Sequence, residues 1–342
     1  MSLDFDSLQD IAQAMTIKGK GILAADESNP TCKKRFDSIN VDSTEQNRNI
    51  YRDMLFTTKG MEDFISGVIL FDETIRQSTI KGGVSFPDFL SDLGVIPGIK
   101  VDAGAKHLSG TDNEKVTEGL DGLDDRLKEY YSLGARFAKW IAVITIGDSE
   151  PSGTCISANA HALARYASLC QKNGIVPIVE PEILMDGAHP IEDSFFVSEE
   201  VLHTVFYELY GQNVELEGMV LKPNMVLSGY NCPDQASVEQ VAELTVTVFK
   251  RSVPSAVPGI AFLSGGQSDE HATAHLNAMN QLLGNNSPWN LTFSYGRALQ
   301  APALKTWAGK DENISDAQEA FYKRAKLNSL ATKGDYSEGM EL

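Results

Sequence analysis

The chain has 342 residues, 42% of them hydrophobic and 22% charged, with a formal net charge of −18. So acidic a surface repels DNA, RNA and anionic membranes, which excludes them as main partners while leaving room for a local basic pocket that attracts an anionic metabolite. The four cysteines, Cys32, Cys155, Cys170 and Cys232, stand far apart and form no C-x-x-C pair, which excludes a disulfide framework and reads as reduced thiols.

The start, Met-Ser-Leu-Asp-Phe-Asp, has neither a signal-peptide nor a transit-peptide pattern, and no apolar run has the length of a membrane span. The expectation is a cytoplasmic protein whose residues 1–342 form one domain. Residues 1–18 read as a leading helix packed outside that domain, with apolar side chains at helical spacing in Asp6-Ser-Leu-Gln-Asp-Ile-Ala-Gln-Ala-Met.

Eight short apolar runs then follow at intervals of about forty residues, the length of a βα unit rather than a solenoid repeat. They are Gly21-Ile-Leu-Ala-Ala-Asp26, Gly67-Val-Ile-Leu-Phe-Asp72, Pro97-Gly-Ile-Lys100, Arg136-Phe-Ala-Lys139, Ile175-Val-Pro-Ile-Val-Glu180, Met219-Val-Leu-Lys222, Ile260-Ala-Phe-Leu-Ser264-Gly-Gly and Leu291-Thr-Phe-Ser-Tyr-Gly-Arg297. Runs apolar at nearly every position suit parallel strands covered on both faces. Eight of them alternating with helices predict an α/β fold, a (β/α)₈ TIM barrel, although a doubly wound open sheet uses similar strands.

Between the runs, Asn29–Arg35 reads as a polar loop leading into a helix. Thr44 reads as an N-cap before Glu45-Gln-Asn-Arg-Asn-Ile-Tyr. Helices are predicted over Asp121–Leu133, Ser157–Lys172, Val238–Lys250 and Asp316–Leu330, two of them closed by Gly134 and by Asn173-Gly174. The polar tail after Lys333 reads as mobile.

In a barrel the C-terminal strand ends share one rim, and the rim carries the chemistry. Here it would gather Lys100, Lys139 and Lys222. Cleaving a carbon–carbon bond beside a ketone needs an electron sink, and a neutral lysine amine supplies one by forming an iminium. A single strand-end lysine would more often reach into solvent, but three converging on carboxylates argue for chemistry. Glu180 and Glu182 lie two apart, so on an extended segment they share a face. Such a pair can divide acid and base roles, or merely neutralise the lysines. Asp26 suits a substrate hydroxyl or, equally, an N-cap of the following turn.

Ser264, Gly265 and Gly266 form a turn whose backbone N–H groups a phosphate can approach, and Arg297 offers a guanidinium fork to the same anion. Lys33-Lys-Arg35 could meet a second phosphate or be a solvated surface run. Gly19-x-Gly21-x-x-Ala24 precedes its strand, so it is no dinucleotide fingerprint. His271 and His275 have the i,i+4 spacing of metal ligands but no third ligand, and read as two exposed helix histidines. No cofactor or metal is called for.

These motifs are long and ordered. Gly21-Ile-Leu-Ala-Ala-Asp-Glu-Ser28, Gly98-Ile-Lys-Val-Asp102, Phe137-Ala-Lys-Trp140, Val179-Glu-Pro-Glu-Ile-Leu184, Leu221-Lys-Pro-Asn-Met-Val226, Phe262-Leu-Ser-Gly-Gly-Gln267 and Phe293-Ser-Tyr-Gly-Arg-Ala-Leu-Gln300 resemble class I fructose-bisphosphate aldolase from about residue 15 to residue 332. The resemblance implies metal-independent, reversible cleavage of fructose 1,6-bisphosphate, a phosphorylated sugar, to dihydroxyacetone phosphate and glyceraldehyde 3-phosphate. It implies Lys222 as the iminium-forming residue, Glu180 as main general acid/base and Glu182 as its helper in carbinolamine chemistry. Lys139 would favour the neutral amine and steer protons, and Asp26 would handle the C4 hydroxyl. Ser264, Gly265, Gly266, Ser294 and Arg297 would bind the C1 phosphate. Ser28, Thr31, Arg35 and Lys100 would bind the sugar and the C6 phosphate. It also implies a homo-oligomer, often a tetramer.

Two positions depart from the family pattern. Ile141 stands where an arginine usually follows Lys-Trp, which removes a cation from the rim. Many relatives end in a tyrosine that enters the site, whereas here Tyr336 is the tyrosine nearest to Gly339-Met-Glu-Leu342. Two rival readings stay open: a lysine-dependent aldolase for sedoheptulose 1,7-bisphosphate or a monophosphate sugar, and a barrel used as a scaffold without turnover.

Overall fold

A computed structural model describes residues 5–342. In chain order its strands are β1 Gly21–Ala24, β2 Ile65–Leu70, β3 Ile96–Lys100, β4 Ala105–His107, β5 Lys115–Thr117, β6 Phe137–Ile144, β7 Val176–Ile183, β8 Val220–Leu221, β9 Gly259–Phe262 and β10 Asn290–Tyr295. The α-helices are α1 Leu8–Met15, α2 Asn29–Asp37, α3 Glu45–Phe56, α4 Asp72–Ile75, α5 Phe86–Asp92, α6 Leu123–Ser132, α7 Gly153–Lys172, α8 Ile191–Gly211, α9 Val238–Ser252, α10 Asp269–Leu283, α11 Arg297–Trp307 and α12 Ile314–Ala331. Eight strands close in the order β1-β10-β9-β8-β7-β6-β3-β2, and every pairing around that ring is parallel. This is the TIM barrel that the eight apolar runs predict. β4 and β5 form a separate antiparallel hairpin inserted between the third and fourth barrel strands.

The barrel interior is packed, as its sequence requires. Phe137 occupies the space that Gly98 leaves empty; a Cβ there would sit 2.2 Å from the Phe137 ring, so only glycine admits it. Ile22, Ile69, Ile96, Phe137, Val176, Ile178, Val220 and Ala261 form one interior cluster, and Ile11, Ala12 and Met15 of α1 belong to it. The leading helix therefore plugs the floor of the barrel instead of packing on its outside. Helical spacing reveals an apolar face but not which apolar surface it covers. The opposite faces of the strands pack against the surrounding helices in a second, larger cluster.

Three local expectations are corrected. The segment from Asn29 is helix from its first residue, with Ser28 at the N-cap position and a proline in the first turn, a start signal hidden by the polar composition. The helix read from Ser157 begins at Gly153, capped by the Ser152 side chain. The tail after Lys333 packs back onto the body: Tyr336 is buried, its hydroxyl donates to Glu341 at 2.8 Å, and the buried Arg324 pairs with Glu341 at 2.7 Å. Thr44 caps α3 as expected.

Candidate active site

Parallel register sets the rim. Lys100 pairs with Lys139 across β3 and β6, and Ile141 pairs with Glu180 across β6 and β7. Lys222 directly follows β8 and donates its N–H to Val179 O at 2.8 Å, which sets its side chain beside Glu180. A cavity of about 1230 Å³ opens at these strand ends. Asp26, Ser28, Thr31, Arg35, Lys100, Lys139, Glu180, Glu182, Lys222, Ser264, Gly265, Gly266, Ser294 and Arg297 all line it, as does Ile141.

At its base lies a buried chain of alternating charge. Lys222 Nζ is 3.0 Å from Glu180 Oε1, Glu180 Oε2 is 3.4 Å from Lys139 Nζ, and Lys139 Nζ is 2.7 Å from Asp26 Oδ2. All four are buried. Asp26 thus engages a lysine and is not a helix cap. Burial penalises its carboxylate, but Lys139 and Lys222 outweigh that and draw its pKa down to about 2. Burial likewise penalises the Lys139 ammonium, yet Asp26 and Glu180 hold it protonated above the ordinary lysine range. Glu182 follows on the same strand. Burial and the adjacent Glu180 charge push its carboxyl up to about 7, against the pull of Lys222 and Lys139. Lys100 is tied to Asp102.

At one side of the mouth, Gly265 and Gly266 adopt φ of +55° and +86°, conformations that favour glycine. Among the described residues their N–H groups meet no protein acceptor. Crowding adds a second reason for Gly266: a Cβ there would lie 1.7 Å from the Tyr230 hydroxyl and 2.6 Å from an Arg297 guanidinium nitrogen. Among the described residues the buried Ser294 hydroxyl also has no hydrogen-bond partner. Together these donors form a pocket fitted to an oxyanion. At the other side Lys34 and Arg35 line the cavity, while Lys33 pairs with Asp37 at 2.8 Å on the surface. The basic triplet is thus divided between the two readings of it.

Several supporting residues escaped the sequence reading. Glu27 binds Arg35, Arg52 at 2.8 Å and Gln300 Nε2 at 2.9 Å. Arg52 is a charge set among the buried Tyr51, Met54 and Leu55 of α3, and that core-facing position was the available signal. Tyr230 donates to Gly265 O at 2.6 Å. His275, read as an exposed helix histidine, is buried, because the α10 face that carries it turns inward; its Nδ1 lies 2.6 Å from Gln267 Oε1. Among the described residues no group of three or more His, Cys, Asp or Glu is arranged to hold a metal ion, no helix is long and apolar enough to cross a membrane, and all four cysteines are free and buried.

Residues 7–342 match the protein family described as "Fructose-bisphosphate aldolase class-I". The chain is 58% identical over 336 residues to a probable fructose-bisphosphate aldolase class 1 of Xanthomonas campestris pv. campestris, covering 98% of this chain and 99% of that protein. It is 56% identical over 324 residues to the cytosolic fructose-bisphosphate aldolase 4 of Arabidopsis thaliana, covering 95% and 82%. Its fold superposes on fructose-bisphosphate aldolase of Plasmodium falciparum, solved in complex with TRAP and a small-molecule inhibitor, with a TM-score of 0.95 and 52% identity over 99% of this chain and 98% of that one. The chain belongs to the class I fructose-bisphosphate aldolase family.

Proposed function

We propose that this enzyme cleaves fructose 1,6-bisphosphate reversibly, as a carbon–carbon lyase, and that Lys222 forms the iminium with the C2 ketone. The carrying observation is the unequal pairing of the three rim lysines. Lys100 is tied to Asp102, and Lys139 is held between Asp26 and Glu180. Lys222 meets one carboxylate, Glu180, and shares it with Lys139. Lys139 is thus locked between two buried carboxylates and Lys100 against its own, whereas Lys222 shares its single carboxylate with Lys139 and is the least committed of the three to an ion pair.

The remaining roles follow from position. Attack of the Lys222 amine on C2 gives a carbinolamine, and loss of water from it needs a proton. Glu182, raised to about 7, is available to donate that proton, and Glu180, in contact with Lys222, acts as main general acid/base. Asp26, ionised and fixed by Lys139, faces the hydroxyl whose proton leaves as the C3–C4 bond breaks. The electron pair of that bond passes into the iminium, giving an enamine; protonation at C3 restores the iminium, and water then hydrolyses it to free Lys222 and dihydroxyacetone phosphate. Ser264, Gly265, Gly266, Ser294 and Arg297 hold the C1 phosphate; Ser28, Thr31, Arg35 and Lys100 hold the sugar and the C6 phosphate.

Borohydride trapping with dihydroxyacetone phosphate tests the assignment. The reduced adduct should map to Lys222, and Lys222→Arg, which keeps the charge but forms no iminium, should abolish it. An adduct on Lys100 or Lys139 in the unaltered enzyme would reassign the nucleophile.

We further infer a cytoplasmic homo-oligomer. Its localisation is supported by the four free cysteines and by the relative named cytosolic. Assembly is supported by α8, where Phe196, Tyr207 and Tyr210 are 65%, 75% and 84% exposed and fall on one helical face. Tyr207→Glu should lower the mass measured by light scattering; an unchanged mass would remove this face from the interface.

A further inference from the structure

We propose that His275 is a positioning residue for the phosphate end of the site: from α10 it holds the Ser264–Gly266 turn in shape through the side chain of Gln267. The inference rests on the reading of that turn as the site of the dihydroxyacetone phosphate end.

The contacts form a short relay. His275 Nδ1 lies 2.6 Å from Gln267 Oε1. Gln267 Nε2 in turn donates to Ser264 O at 2.9 Å, and the Gln267 backbone N–H donates to the same oxygen at 3.0 Å. All three residues are buried. On the far side Tyr230 ties down Gly265 O at 2.6 Å. The carbonyls of Ser264 and Gly265 are therefore engaged by side chains, while the N–H groups of Gly265 and Gly266 stay open to an anion.

The need for a histidine follows from amide chemistry. The two ends of the glutamine amide have nearly the same shape and opposite hydrogen-bonding character. Only the rotamer with nitrogen toward Ser264 supports the turn; the flipped one would set oxygen against oxygen. An acceptor-only oxygen at 2.6 Å requires His275 to carry its proton on Nδ1, so the ring fixes the amide's orientation. Burial lowers the His275 pKa to about 4, which keeps the ring neutral near pH 7, and protonation would leave the Nδ1 donor in place. His271 lies beside it with ring centroids 6.0 Å apart, and it takes no part in the relay.

A residue that shapes only this turn should affect one product and spare the other. In the condensation direction, His275→Leu should raise the KM for dihydroxyacetone phosphate on the order of tenfold, the effect of one lost buried hydrogen bond. The KM for glyceraldehyde 3-phosphate and kcat should stay within about twofold, because the grip on the phosphate is the same before and during bond making. His275→Asn places an amide nitrogen near the Nδ1 position and should restore most of the loss. Gln267→Met breaks the relay from its other end and carries the same expectation, which guards against a folding defect in the leucine variant. Equal rises in both KM values, or none in either, would overturn the positioning role. Arg297→Ala separates the levels: if it raises the KM for dihydroxyacetone phosphate while the His275 and Gln267 variants do not, only this inference falls. If Arg297→Ala also spares that KM, the reading of the phosphate end falls with it.

Discussion

Glu182→Gln tests the most unusual electrostatic feature of the site. Burial and the Glu180 charge raise the Glu182 carboxyl from its ordinary value of 4.5 to about 7. At 1.36 kcal/mol per pH unit, that displacement corresponds to at most about 3 kcal/mol, and less where cavity water screens the charge. The folded state binds this proton more tightly than the unfolded state. Its stabilisation is therefore fully present below pH 4.5 and is lost as pH rises through 7. Glutamine carries no charge at any pH, so the variant should gain stability relative to the unaltered enzyme between pH 5 and pH 8, read as a growing gap in unfolding midpoint. Catalysis should move oppositely. If Glu182 donates the proton for carbinolamine dehydration, kcat/KM should decline above about pH 7, and the glutamine variant should lose on the order of 10²–10⁴-fold together with that alkaline limb. An alkaline limb near pH 7 that survives the substitution, or a stability gap that is the same at both pH values, would refute the assignment.

Two substitutions examine the phosphate ends. Arg297→Ala removes a guanidinium poised over Gly266; a charge-assisted contact of about 1.5–3 kcal/mol implies a tenfold to hundredfold loss in kcat/KM for fructose 1,6-bisphosphate, and a loss below about twofold would take Arg297 out of the site. Ile141→Arg adds a cation beside Glu180 where Lys100 is already engaged by Asp102, and should lower the KM for fructose 1,6-bisphosphate more than for fructose 1-phosphate. Equal changes for the two substrates would show that position 141 does not tune the distal phosphate.

Most of the rim charges were legible because they stand at or just past the end of an apolar strand: Lys100 closes β3, Asp26 follows β1 by two residues and Lys222 follows β8 directly. Lys139 is the third residue of β6, which runs on to Ile144, so the run read as ending there stops short of the strand. Glu180 and Glu182 could be placed on one face from the two-residue period alone. What stayed hidden reaches the rim sideways. Arg52 comes from α3 and meets Glu27 from twenty-five residues away in sequence; Gln300 approaches from α11 and His275 from α10. None of these contacts has a local period, and each joins elements whose packing only the closed barrel defines. The floor helix was hidden for the same reason. Its stripe of Ile11, Ala12 and Met15 fits a barrel end as well as a barrel flank, and only closure of the sheet leaves the end in need of a cover.

The two ends of the cavity differ in what holds them. The charged chain from Lys222 to Asp26 rests on strands β6 and β7 and on residues just past β1 and β8, where parallel pairing fixes each backbone to its neighbour. Because side chains alternate with a period of two, a one-residue slip of β6 would remove Lys139 from the cavity and put Trp140 in its place. Proton transfer tolerates little displacement, and this half of the site sits on backbone tied by sheet pairing. Apart from Ser294 on β10, the proposed phosphate end lies on the turn after β9 and at the start of α11, whose geometry no sheet register defines. There the carbonyls are tied individually, Ser264 O by Gln267 and Gly265 O by Tyr230. A loop that binds phosphate through its N–H groups must have its carbonyls satisfied elsewhere, since an untethered peptide can rotate and present oxygen to the anion. The side-chain relay behind the turn thus does for the loop what hydrogen-bonded pairing does for the strands.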